Sequence, residues 1–98
     1  MKNSVNVLGT EYKIDFVKIS ECDELKENHW CGSCNKITHR ILVGDPTEEE
    51  YFGKLTEEEQ THCIKQTLRH EIVHAFFNEF HHSTHINILV TNDFIVVI

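Results

Sequence analysis

The chain has 98 residues, of which 40% are hydrophobic and 26% charged, and its formal net charge is −7. That length supports one domain, residues 1–98, with a core of modest size, and the apolar fraction argues against wholesale disorder. The acidic balance argues against nucleic acid or an anionic membrane as partner, because phosphate recognition needs clustered Lys and Arg.

Residues 1–6 hold no apolar stretch of the secretory kind, and no apolar run approaches the roughly 20 residues that span a bilayer. The four cysteines, Cys22, Cys31, Cys34 and Cys63, then read as reduced thiols of a cytoplasmic protein. In a secreted chain the same four could pair in three ways.

Residues 5–8 are strand-like, and Gly9-Thr10 is a plausible turn. Residues 12–19 begin with the apolar–polar alternation of a half-buried strand. Residues 20–30 are polar and acidic, and read as a loop or short helix. Cys34-Asn35-Lys36 looks turn-like, before a β-branched run at 37–43 that ends in Gly44-Asp45-Pro46. The strand pairing suggested is an antiparallel hairpin. Glu48–Glu50 and Glu57–Glu59 read as solvated charge.

The period then changes. Thr56 and Glu59 form a capping box, and Glu57 and Glu58 suit the positive end of a helix dipole. No Gly or Pro interrupts the chain from there to about Phe80. At 100° per residue Ile64, Leu68, Ile72, Ala75 and Phe76 form an apolar stripe, while Cys63, Thr67, His70, His74 and Asn78 share the other side. Glu71 lies at the seam. Residues 86–90 and 94–98 read as two further strands around a turn at 91–93. Trp30 and Phe76 are expected in the core.

His70-Glu71-Ile72-Val73-His74 is the H-E-x-x-H pattern. Two His one helical turn apart can share one Zn²⁺, and the Glu between them reaches a water on that ion. The chain is rich in His and Glu, so the string alone says less than it would elsewhere; the capped helix and its separate polar face strengthen it. The chemistry expected is peptide-bond hydrolysis with Glu71 as general base. The run at 37–43 is a candidate edge strand for an extended substrate.

The third ligand must come from beyond this helix. The pattern H-E-x-x-H-x-x-G-x-x-H fails, since Phe77 and Phe80 stand where Gly and His belong. His81 is the leading candidate, with His82 and His85 as alternatives, and Asn78 could form a left-handed helix cap that turns the chain back. Glu79 faces the apolar side and ranks below them. Cys31-Gly32-Ser33-Cys34 has the C-x-x-C form, but a redox motif should open a helix. Cys31 and Cys34 could also join His70 and His74 in a structural Cys₂His₂ site, which would leave Glu71 without a role.

The segment from Leu68 to Phe76, with Glu79 after it, resembles the active-site helix of small zincin-like proteins from phages and prophages of Gram-positive bacteria, relatives of the ImmA/IrrE-type metallopeptidases. Residues 5–10 with Tyr12-Lys13-Ile14, and Gly32, Cys34, Asn35, Thr38 and Ile41, extend the resemblance over residues 5–79. It implies an α+β fold, a small antiparallel sheet beside one long zinc helix, with His70 and His74 as Zn²⁺ ligands, Glu71 as the catalytic residue and a protein or peptide as substrate. Residues 80–98 depart from the family, whose next helix carries an acidic stretch expected to supply the third ligand. A second reading follows from that departure: a zincin-like module with degenerate chemistry that acts by binding a protein.

Overall fold

The computed structural model describes residues 4–80, 88–90 and 95–97. Strands β1 (Ser4–Val7) and β2 (Thr10–Val17) pair antiparallel, with Val7 opposite Thr10. Their two-residue loop has positive φ at both positions, 49° at Leu8 and 90° at Gly9, as a type I′ hairpin turn requires. Asn6 Oδ1 accepts the Gly9 N–H at 2.9 Å and steadies the turn. Along β2 the alternation is clear, with Tyr12 and Ile14 buried and Lys13 exposed.

A 3₁₀ turn (Ile19–Glu21) and helix α1 (Asp23–Asn28) occupy the stretch expected to be loop or short helix. Strand β3 (Gly32–Asn35) follows, and then β4 (Arg40–Gly44). Cys34 and Asn35 therefore belong to a strand, and the turn lies at 36–39. Asn35 Oδ1 accepts the N–H groups of Ile37 and Thr38 at 2.8 and 3.0 Å. This side-chain turn overrides the β-branched preference of the segment.

The sheet order is β1-β2-β4-β3. The hairpins β1–β2 and β3–β4 are antiparallel, but β2 and β4 run parallel, from Lys13 beside Arg40 to Val17 beside Gly44. The sheet is thus mixed, which corrects the expected antiparallel one. The chain leaving β2 crosses over through α1 and β3 before it pairs, and a crossover returns a strand in parallel. It also puts β4 inside the sheet, so the 37–43 run is no edge strand. The edges are β1 and β3.

Helix α2 (Glu49–Phe52) precedes α3 (Glu57–Phe80). Glu48 differs from the solvated charge expected of its run: its carboxylate accepts the N–H groups of Ile19 and Ser20 and holds the 3₁₀ turn. The capping box is formed, with Glu59 N–H donating to Thr56 Oγ1 at 3.1 Å and Thr56 N–H to Glu59 Oε1 at 2.9 Å. The Thr56 backbone N–H first, and then its hydroxyl, hold the Glu59 carboxyl below its ordinary pKa.

Helix α3 lies on one face of the sheet. Val7, Tyr12, Ile14, Ile41 and Val43 from the strands meet Ala75 and Phe76 from the helix, with Ile64, Leu68 and Ile72 packed around them. These are the residues of the apolar stripe. The other sheet face carries an exposed Arg40–Asp15 ion pair, a type that adds little stability. Strands β5 (Ile88–Val90) and β6 (Ile95–Val97) pair antiparallel, and the turn expected between them lies outside the described residues.

Candidate metal centre

With its apolar stripe committed to the sheet, α3 turns His70 and His74 outward, and both are exposed. Their rings meet edge to face, with centroids 4.7 Å apart and planes at 76°. The two Nε2 atoms converge to 3.1 Å. Two nitrogens bound tetrahedrally to one zinc at about 2.05 Å would lie about 3.3 Å apart. In this structure that separation is a hydrogen bond between the two imidazoles, and it also lies close to the spacing of two ligands to a single ion.

Glu71 sits between them in sequence but faces inward, only 6% exposed. Burial raises its carboxyl above the ordinary pKa, and the neighbouring His70 and His74 pull the other way. A carboxylate desolvated in this way is a stronger base than one in water.

The depth of Glu71 comes from the close approach of β3. A Cβ on Gly32 would fall 2.6 Å from Thr67 Cγ2, 2.8 Å from the Leu42 carbonyl oxygen and 3.3 Å from Glu71 Cγ. Only glycine lets the edge strand lie this near the helix.

Between α1, β3 and α3 opens a cleft of about 740 Å³, and His70, Glu71 and His74 line it. So does Trp30, which is 48% exposed. This overturns the expectation that Trp30 is core, whereas Phe76 at 9% is where it was expected. The cause is local. His29 closes α1 in the left-handed conformation, φ 57°, and Trp30 N–H donates to the Leu25 carbonyl at 3.0 Å. The chain is thereby swung out of α1 toward β3.

The edge strand beside the motif is β3, so the place expected for 37–43 is taken by Gly32–Asn35. The C-x-x-C pair lies along this extended segment, not at a helix start where thiol redox chemistry needs it. Cys34 is pushed up to about 11, first by burial and then by the Glu71 charge. All four cysteines are free thiols. Cys31 and Cys34 line the same cleft as the two imidazoles, yet among the described residues no three His, Cys, Asp or Glu side chains converge on one point. His81, His82 and His85, the candidates for third ligand, lie outside the described residues.

Two residues near the end of α3 differ from expectation or exceed it. Asn78 does not cap the helix, which continues to Phe80; its Nδ2 donates to Cys34 Sγ at 3.8 Å. Glu79 faces the sheet as the helical wheel predicts, and there accepts hydrogen bonds from Thr10 Oγ1 and Tyr12 Oη, both at 2.6 Å. Burial and Glu79 together raise the Tyr12 hydroxyl well above the usual tyrosine range. The sequence signal for this tie was the Thr10–Tyr12 spacing, which puts both hydroxyl residues on the apolar face of β2.

Among the described residues no helix is long and apolar enough to cross a membrane. Comparison of the chain with protein-family models, with curated proteins and with solved structures finds no match in any of the three.

Proposed function

We propose that the chain is a small cytoplasmic metallopeptidase of zincin type, with Zn²⁺ bound by His70, His74 and a third ligand, His81 first among the candidates and His82 or His85 as alternatives. The observation that carries the reading is the 3.1 Å approach of the two Nε2 atoms on the open side of α3, with the Glu71 carboxylate one residue along and buried. The mixed sheet with an edge strand beside the motif helix supports it, as does the resemblance of residues 5–79 to phage and prophage zincin-like proteins.

A Zn²⁺ ion at this place would polarise the substrate carbonyl and acidify a water. The protein's share falls to named groups. His70 and His74 present neutral Nε2 lone pairs. Glu71 accepts the proton of the attacking water on a carboxylate oxygen and passes it to the departing amine nitrogen. The free N–H and C=O groups of β3 align an extended peptide along the cleft.

Zinc content and peptide cleavage of wild type and Glu71→Gln test the proposal. Wild type should bind one zinc and cleave. Glu71→Gln should keep the zinc and lose about 10²- to 10⁴-fold in kcat/KM, the usual contribution of a general base. A wild type that takes up no zinc refutes the reading. Zinc binding by both proteins with cleavage by neither leaves the non-catalytic, protein-binding module.

A further inference from the structure

The part of the cleft that α1 and the segment after it line has a distinct chemistry. Trp30 is an exposed indole on a fixed backbone, since its N–H is bonded to the carbonyl of Leu25 and Leu25 is fully buried. Glu24, in the first turn of α1, lines the same cleft. Among the described residues its carboxylate has no hydrogen bond or ion pair with the protein. The described lining includes two carboxylates, Glu24 and Glu71, and neither Lys nor Arg. Glu24 also borders a second, smaller pocket with Asp15 and Arg40, so its carboxylate stands at the edge of the cleft. An aromatic side chain and an unpaired carboxylate lining one cleft can together hold an organic cation, by cation–π attraction and a charge-assisted hydrogen bond.

We propose that Trp30 and Glu24 form a subsite for a Lys or Arg side chain, which makes a cationic peptide the preferred occupant of the cleft. The inference rests on the peptidase reading for what happens next, but binding itself is independent of cleavage. The indole ring takes the aliphatic stem and the cation, while Glu24 receives the N–H donors. The net charge of −7 draws such peptides toward the chain before the subsite sorts them.

Trp30 is the only tryptophan, so its emission reports on this subsite alone. The probes are tryptophan-free heptapeptide pools, each with Lys, Arg, norleucine or Glu fixed at one position, titrated into the Glu71→Gln protein. The Lys and Arg pools should change Trp30 emission and bind at least about tenfold more tightly than the norleucine pool. Glu24→Gln should shrink that preference to about twofold. Glu57→Gln, an equal change of charge on an exposed residue outside the cleft, should leave it intact. Equal affinities for all pools, no binding at all, or binding seen by calorimetry with unchanged Trp30 emission would each overturn the proposal. Its failure is distinguishable from that of the peptidase reading. Cleavage by wild type without cation preference removes the subsite and leaves the enzyme. Cation-selective quenching in a wild type that neither binds zinc nor cleaves does the reverse.

Discussion

The two flanks of α3 meet the sheet differently. Over β1 and β2 the helix is sealed: Phe76 and Ala75 pack on Tyr12, Ile14 and Val7, and Glu79 bonds to both Thr10 and Tyr12. Over β3 it approaches closely at Gly32 and bonds through Asn78 to Cys34, yet it leaves an open cleft that Trp30, Cys31, His70 and His74 border. One helix thus spends one side on stability and keeps the other for chemistry. What separates the roles is the size of the residues on the strands: a large Tyr in the inner row of β2, and a glycine without a side chain on β3.

Substitutions on the two flanks should accordingly separate folding from function. Phe76→Ala on the sealed flank should cost the most, about 3–5 kcal/mol by urea denaturation, through the void it leaves in the core. A loss below about 1 kcal/mol would show the flank to be loosely packed. Gly32→Ala comes next, at about 1–3 kcal/mol from overpacking, and it should also raise KM by moving β3 away from the cleft. Tyr12→Phe removes a donor to Glu79 at a cost of about 1–3 kcal/mol, with cleavage unchanged.

Tyr12 also predicts a pH dependence. Its folded-state pKa is raised, so the stability it contributes is complete below the unfolded value of about 10 and is lost as pH rises above that. Denaturation midpoints should therefore fall more steeply above about pH 10 in wild type than in Tyr12→Phe; parallel curves would deny Tyr12 that part. The smallest effect is expected of Thr56→Ala, about 1 kcal/mol from the lost helix cap, which leaves both flanks in place.

Much of this was legible in the chain. The capping box and the apolar stripe each rest on local spacing, and each is formed as the spacing requires. The parallel join of β2 and β4 was not legible, because alternation tells which face a strand buries and nothing of the direction of its neighbour. The 37–39 segment misled for a related reason: β-branched residues favour extended backbone, but the Asn35 side chain takes the amides of Ile37 and Thr38. Trp30 misled through its size, which normally implies burial; its exposure depends on the left-handed His29 before it. The pairing of Glu79 with two residues nearly seventy positions away depends on tertiary placement. Of the site, the two His and the Glu were visible in five residues, whereas the role of Gly32 needed the strand beside it.

The crossover between β2 and β4 has a consequence for how the molecule assembles. The hairpins at either end can close over short loops, but the parallel pairing must bring together segments that flank the whole of 18–39, and such long closures come late and slowly. Trp30, Glu24 and β3 all lie inside that span. The rim that faces the two imidazoles therefore exists only once that pairing has closed. Occupation of the finished cleft then stabilises, by mass action, the pairing on which the rim depends.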